Sequence, residues 1–257
     1  MKQSSSSPKS KRFKSFSIII PAYNEAATIQ EILRRVKTSN VCGLKKEIVF
    51  VDDGSSDDTL QLACAFAKQT HKRTNIRLLR LEKNMGKGAA IQAAIPHTNG
   101  DIVLLQDADL EYNPRDYPAL LTPILEGIAD VVYGSRFISP QPHRVLFFWH
   151  YVANRTLTTI SNMFTNLNLT DMETGYKVFD GELIRGLGPR LQSNRFGFEP
   201  EITALLARVK EIHIYEVGIS YAGRTYAQGK KIGAKDGFAA FFQILYYNLL
   251  HAFFSRR

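Results

Sequence analysis

The sequence predicts an α/β fold, a mostly parallel sheet flanked by helices, on two observations. Short runs rich in Ile, Val and Leu alternate with stretches of helical spacing. The strand-helix alternation implies a mostly parallel sheet covered on both faces. Polar clusters follow several of them directly, where open α/β sheets bind ligands.

Phe16–Ile20 is read as a buried strand, and the spacing of Ile29, Ile32, Leu33 and Val36 predicts a helix over Glu25–Val36. Glu47–Val51 is a second strand, followed by a helix over Asp57–Ala67 that Ser55 or Ser56 can cap. Ile76–Leu79, Ile102–Leu105 and Asp130–Tyr133 are further strands, with a short helix over Gly88–Ile95. Val145–Phe164 has the pattern of an amphipathic helix. Gly175–Phe179 reads as a strand, Glu199–Val209 as a helix and Ile212–Val217 as a strand. Tyr221–Asp236 is basic and Gly-rich, hence a loop, and Phe238–Phe254 is an apolar, aromatic helix. The chain thus divides into a basic, disordered tail over 1–15, one α/β domain over 16–236 and a C-terminal amphipathic helix over 237–257.

The 257 residues are 44% hydrophobic, enough for a sizeable core, and the formal charge of +9 favours anionic partners such as phosphates, acidic lipid or nucleic acid. Cys42 and Cys64 form no C-x-x-C pattern, so neither a disulfide framework nor a zinc site is indicated, and a reducing cytoplasm fits. The Ser-rich, basic start lacks the apolar stretch of a signal peptide. Phe238–Phe254 carries Gln243, Asn248 and His251 and falls short of the ~20 apolar residues of a bilayer span. It suits the headgroup region, or packing on its own domain or a partner. Trp149 and its Phe neighbours pose the same choice.

Three clusters carry the chemistry. Pro21–Glu25 follows the first strand, Asp52–Ser56 the second and Asp107–Glu111 the fourth. If strand geometry continues past Leu105, Asp107, Asp109 and Glu111 point to one side. Carboxylates so gathered repel one another unless a cation sits between them, and hard oxygen ligands suit Mg²⁺ or Mn²⁺. Such an ion keeps positions for phosphate oxygens, so the segment suggests a metal gripping a nucleotide diphosphate. Glu25, Asp52 and Asp53 can accept hydrogen bonds from a base and a ribose. Gly86-Lys87-Gly88 lacks the Walker A spacing and is read as a helix start near the donor.

Pro21–Glu25, Val51–Ser55, Gly86–Gly88, Asp107–Leu110, Gly134–Arg136, Asp171 with Gly175–Lys177, and Gly223–Lys231 run in an order that resembles family 2 glycosyltransferases of the GT-A, Rossmann-like fold. Dolichyl- and polyprenyl-phosphate mannose or glucose synthases and their bacterial relatives are the most similar members. The resemblance implies metal-dependent, inverting transfer of glucose or mannose from a UDP- or GDP-hexose to dolichyl or undecaprenyl phosphate, at the cytoplasmic membrane face. It implies that Pro21, Tyr23, Glu25, Val51, Asp52 and Asp53 line the nucleoside pocket, with Lys87 and Ala108 at the donor. Asp107, Asp109 and Glu111 would hold Mg²⁺ or Mn²⁺; Glu111 stands where the mannose synthases usually carry Gln. Arg136, Arg224 and Lys230 match the basic residues that contact diphosphate, sugar or acceptor phosphate, and Asp109, Asp171 and Arg136 are the expected catalytic residues.

The acceptor decides whether a base is needed. A phosphate monoester is largely ionised near neutral pH, its second pKa being about 6. A sugar hydroxyl needs a carboxylate, for which Asp171 or Glu173 is the candidate. A transferase acting on a sugar hydroxyl in polysaccharide or glycolipid synthesis is therefore the alternative. A sugar nucleotidyltransferase would carry a Gly-rich basic loop after the first strand, where this chain has Pro21–Glu25. A basic adaptor fits the charge, but no nucleic-acid motif is present.

Overall fold

In the computed structural model, residues 13–70, 75–138, 144–145, 147–224 and 234–250 are described. Among them, seven strands form one sheet: β1 (Ser15–Ala22), β2 (Lys45–Asp52), β3 (Asn75–Arg80), β4 (Ile102–Leu105), β5 (Val131–Ser135), β6 (Lys177–Asp180) and β7 (Ile214–Gly218). Their order is β3-β2-β1-β4-β6-β5-β7. All neighbours are parallel except β6, which runs antiparallel to both β4 and β5. The helices are α1 (Ile29–Thr38), α2 (Thr59–Thr70), α3 (Lys87–Ala94), α4 (Tyr117–Leu125), α5 (Phe148–Thr165), α6 (Gly181–Leu187), α7 (Phe198–Leu206) and α8 (Ala234–Leu245). A π-helical turn, Tyr246–Leu250, continues α8.

Strand alternation sorts the core into two layers. Ile18, Ile20, Ile48, Phe50, Leu104, Val132 and Val178 face α1, α2 and α4. Ile19, Val49, Val51, Val103, Leu105, Tyr133 and Phe179 face α3, α6 and α7, with Ile244 of α8. Each fully buried Ile, Leu or Phe contributes about 1.5–3 kcal/mol.

Two helices escape the sequence pattern. Prolines 114, 118 and 123 punctuate the α4 region, yet Asn113 caps its 3₁₀ entry and Pro118 sits in its first turn, where no amide is needed. Helix α6 is too short for periodicity to show, and Asp180 caps it by accepting from Glu182 and Leu183. Elsewhere the boundaries move. Helix α1 starts at Ile29 rather than Glu25, because the amides of Asn24 and Glu25 donate to Ser55 Oγ and Thr59 Oγ1. Asp57, not Ser55 or Ser56, caps α2 by accepting from the Thr59 amide at 3.0 Å. Within the expected tail, Ser15 already belongs to β1, and Asp101 accepts from the amides of Lys14 and Ser15; residues 1–12 lie outside the described residues.

Gln106 ends β4 and is fully buried. Its Oε1 accepts from Tyr117 Oη and Tyr176 Oη, both at 2.7 Å, and its Nε2 donates to the Asp107 carbonyl at 3.0 Å. One amide thus ties α4, the approach to β6 and the start of the acidic loop together. Replacing Gln106 by Leu strands two buried hydroxyls and is expected to lower stability by about 2–4 kcal/mol, against about 1 kcal/mol for Tyr117→Phe or Tyr176→Phe. Urea unfolding of the three variants checks this order.

Candidate active site

The carboxyl ends of β1, β2, β4 and β5 reach one rim because these strands are parallel. The reversed β6 adds its beginning to the same rim, with Val178 opposite Leu104 and Lys177 opposite Tyr133. Thr170–Tyr176 therefore meets Asp107–Glu111 and Arg136, although all three are distant in sequence. Gly175 is required there: a Cβ would run into Asp107 Oδ2.

On the β1–β2 side, the two loops staple one another. Asn24, at φ 51°, accepts from the Ser56 amide at 2.9 Å. Asp53 accepts from the amides of Met85 and Gly86, both at 2.8 Å, and from Asn84 Nδ2 at 3.1 Å. Gly86 takes φ 103°, where a side chain would strike the Asn194 carbonyl. Helix α3 thus starts in the place expected for Gly86–Gly88. Pro21, Tyr23, Glu25, Asp53, Lys87 and Ala108 line the cavity over this rim. Val51 and Asp52 do not: Val51 is fully buried in the α3-side core, and Asp52, also fully buried, accepts from the Ser55 amide and pairs with Arg80 at 3.5 Å.

The acidic loop departs from strand geometry. The chain turns after Leu105, and Leu110 adopts φ 64°. Asp109 Oδ1 accepts from the Glu111 amide at 3.1 Å, and Oδ2 faces Arg224 Nη2 at 3.0 Å. Glu111 accepts from Tyr221 Oη at 2.5 Å and from the Arg224 amide at 2.9 Å, and pairs with Arg224 Nε at 3.3 Å. Among the described residues, no three His, Cys, Asp or Glu side chains gather as a ligand set. The three acids expected to share a cation all line the cavity, with Arg224 between Asp109 and Glu111 and Tyr221 on Glu111. The chemistry of Asp107 and Asp109 fits a hard cation that takes one or two carboxylates and completes its shell with phosphate oxygens. Burial, then the charges of Asp107 and Glu111, push the Asp109 carboxyl well above the ordinary range, a repulsion that a cation would relieve.

Each remaining basic residue is clamped by acid. Lys87 Nζ lies 2.9 Å from Asp107 Oδ1 and 3.0 Å from Glu199 Oε1. Burial opposes its charge, but Asp107 and Glu199 outweigh this and hold it above the usual lysine range. Arg136 Nε and Nη2 each meet the fully buried Asp171 at 2.7 Å, and its amide donates to Asp171 Oδ2 at 3.0 Å. Its guanidinium also lies over the rings of Phe137 and Tyr221. Asp171, expected to be catalytic, is thus committed to orienting Arg136 and lies off the cavity wall, whereas Arg136 lines it. Lys230 lies outside the described residues. Sequence reasoning missed Glu199 and Lys177, which occupy an ordinary helix turn and a strand start. Lys177 is buried over the Tyr133 ring, at 5.0 Å, and donates to the Thr174 carbonyl. Burial depresses its pKa, as does the Lys87 charge, although Glu199 opposes the shift.

Lys87, Asp107, Asp109, Arg136 and Arg224 floor a cavity of about 1080 Å³ whose other half is mostly apolar. Trp149, Ala153, Leu157 and Ile160 of α5 face Ala240, Phe241 and Phe242 of α8 across it. Helix α8 packs one side against its own domain through Ala240 and Ile244, and Tyr247 buries beyond it. On the outside, Phe148, Trp149 and Phe242 are 64%, 75% and 65% exposed. No helix of the described residues is long and apolar enough to cross a membrane.

Comparison with known proteins places this geometry. A dolichyl-phosphate beta-glucosyltransferase of Trichomonas vaginalis is 30% identical over 79% of this chain, and the match spans 62% of that relative's length. The UDP-N-acetylglucosamine–dolichyl-phosphate N-acetylglucosaminyltransferase of Methanococcus voltae is 25% identical, over 89% of this chain and 94% of its own. Among solved structures, glucosyl-3-phosphoglycerate synthase from Mycobacterium tuberculosis in complex with Mn²⁺, UDP and phosphoglyceric acid superposes with a TM-score of 0.69. It covers 92% of this chain and 79% of that one at 20% identity, a likeness of fold that agrees with the GT-A arrangement. The profile of glycosyl transferase family 2 matches residues 17–187, and with the acidic loop, the α3 start and the β6 approach all inside that span, the chain belongs to this family.

Proposed function

We propose that the protein transfers a hexose from a UDP- or GDP-sugar to a polyprenyl phosphate, with inversion, at the cytoplasmic face of a membrane. The observation that carries this reading is the continuity of one cavity from a charged floor at Asp107, Asp109, Lys87 and Arg136 to an apolar channel between α5 and α8. A nucleotide sugar needs the first half only. An acceptor that joins a phosphate to a long hydrocarbon uses both. The dolichyl-phosphate transferases among the relatives support the same acceptor class.

Asp107 and Asp109 would hold Mg²⁺ or Mn²⁺, which when bound supplies Lewis-acid stabilisation of the departing nucleoside diphosphate. Lys87, fixed between Asp107 and Glu199, adds a positive charge at the same place. Arg136 is presented as a preformed fork, because Asp171 fills one edge of its guanidinium and leaves the rest toward the cavity. Arg224 spans Glu25, Asp109 and Glu111 and can trade these contacts for phosphate oxygens. The acceptor phosphate arrives ionised and attacks the sugar C1 opposite the leaving group, so no carboxylate base is required. This agrees with the commitment of Asp171 to Arg136. The aromatic ends of α5 and α8 suit the lipid headgroup layer, bringing the channel mouth to the acceptor.

Incubation with UDP- and GDP-hexoses, Mn²⁺ and polyprenyl phosphate is expected to yield a lipid-linked sugar, and chelation by EDTA to abolish it. Mass spectrometry that finds no such product across the donor panel rejects the reading. Ala153→Asp puts a charge in the apolar channel and should raise the KM for a long-chain polyprenyl phosphate about tenfold, the effect of lost apolar contact worth a few methylenes. Donor affinity, followed by calorimetry, should not change.

A further inference from the structure

One carboxyl side chain on the cavity wall, Glu173, keeps an oxygen without a hydrogen-bond partner among the described residues. Glu173 lines the cavity with Arg136 and Lys87, feels the charges of Glu199, Lys177, Arg136 and Asp171, and stands two residues before Gly175, which abuts Asp107. Its Oε1 is buried and, among the described residues, makes no hydrogen bond. Buried polar atoms in native proteins are satisfied in the great majority, and an orphan at a ligand cavity marks a place where the ligand completes the bonding.

The orphan's surroundings narrow the ligand group. The nucleoside end is built around Tyr23, Glu25 and Asp53, on the far side of Asp107 and Lys87. The hydrocarbon end lies between α5 and α8. Glu173 sits with neither, but beside the residues assigned to the diphosphate and hence beside the sugar attached to it. Burial, with the charges of Glu199 and Asp171, raises its pKa despite Lys177 and Arg136, and favours the neutral acid. A neutral carboxyl both accepts and donates, which matches a sugar hydroxyl and not the anionic acceptor phosphate.

We propose that Glu173 recognises a hydroxyl of the transferred hexose through its carboxyl group and thereby sets donor specificity. The inference rests on the sugar-nucleotide reading above and adds the residue that reads the sugar. Glu173 forms no bond with C1 and takes no proton in the transfer. It distinguishes hexoses by whether a hydroxyl reaches the carboxyl group, because an analogue lacking that hydroxyl leaves the group unpaired.

Calorimetric titration of the full chain with Mn²⁺ and sugar nucleotides, the matching bare nucleoside diphosphates and single-deoxy donor analogues tests this. Glu173→Leu should weaken the preferred sugar nucleotide about 10- to 100-fold, the effect of one lost buried hydrogen bond. Affinity for the bare diphosphate should stay within about twofold, as for an uncoupled site. One deoxy position should cost the wild type a similar factor and cost Glu173→Leu nothing further. Glu173→Gln, which keeps an acceptor oxygen, should recover most of the loss. Equal weakening of sugar nucleotide and bare diphosphate, or a deoxy series in which no position interacts with Glu173, overturns the proposal while leaving the transferase reading intact. If Glu173→Leu does not fold, as its melting curve would reveal, the deoxy series on wild type and Glu173→Gln decides instead: a flat series overturns the proposal. A wild-type chain that binds bare diphosphates but no sugar nucleotide sinks both.

Discussion

The mutual neutralisation of buried charge governs this rim. Lys87, Arg136 and Arg224 are each pinned by carboxylates, and Glu25, Asp107, Asp109, Glu111, Asp171 and Glu199 are the carboxylates that pin them. In a partly desolvated cavity no such ion can stand alone, since removing one partner of a buried pair costs about 3–5 kcal/mol. The pairs therefore fix one another's positions before any substrate enters. That preorganisation is what a diphosphate leaving group requires, because its charge develops faster than side chains can rearrange. The pairs differ in how readily they open. Asp171 is fully buried and meets Arg136 with both oxygens, whereas Arg224 divides itself among three acids at 3.0–3.4 Å. Arg136 is the fixed cation of the site and Arg224 the exchangeable one.

Strand β6 determines which charges meet. Running against its neighbours, it delivers its first residues to the rim where β4 and β5 deliver their last. A parallel strand there would have brought Asp180 and the α6 cap to the rim and carried Asp171, Glu173 and Lys177 to the opposite edge. The reversal lets a chain of this family close a site from the far side without another βαβ crossover. It also explains the Gln106 tie: its two tyrosine partners come from α4 and from the approach to β6, so the amide holds the reversed strand against the acidic loop.

Much of this was legible from the residues alone. The apolar runs located all seven strands to within a few residues, since each carries a short Ile-, Val- or Leu-rich or aromatic stretch even where Arg77, Lys177 or Glu216 interrupts it. Pro21, Tyr23, Glu25, Asp53, Asp107, Asp109, Arg136 and Arg224 all come to the cavity as expected. What failed did so for local reasons. The two-residue alternation of Asp107, Asp109 and Glu111 assumes extended backbone; the positive φ at Leu110 ends it, yet all three carboxylates line the cavity. Asp52 looked like Asp53 in sequence, yet alternation sends one to the cavity and the other into a loop cap. Asp171 carried the marks of a base, and only its contacts reveal that Arg136 takes both of its oxygens. Glu199 carried no signal, since a glutamate in a helix's first turn is ordinary chemistry.

The two halves of the cavity place opposite demands on α5, and its composition answers both. Toward the core, Thr158 and Ser161 are buried, and Thr158 Oγ1 accepts from the Met172 amide at 3.1 Å, tying the helix to the segment that carries Asp171 and Glu173. Toward the cavity, Ala153, Leu157 and Ile160 form an apolar wall, and at its start Trp149 stands open to solvent. The helix is thus anchored at its centre to the segment that carries Asp171 and Glu173, and its cavity face is apolar at Ala153, Leu157 and Ile160 with His150, Asn154 and Thr156 as polar lining beside them. A helix serving the core alone would bury its aromatic start, and one serving only a membrane would need no bond to Met172. On the proposed reading, α5 links the approach of an amphipathic acceptor to the segment that holds Arg136, over the length of a single helix.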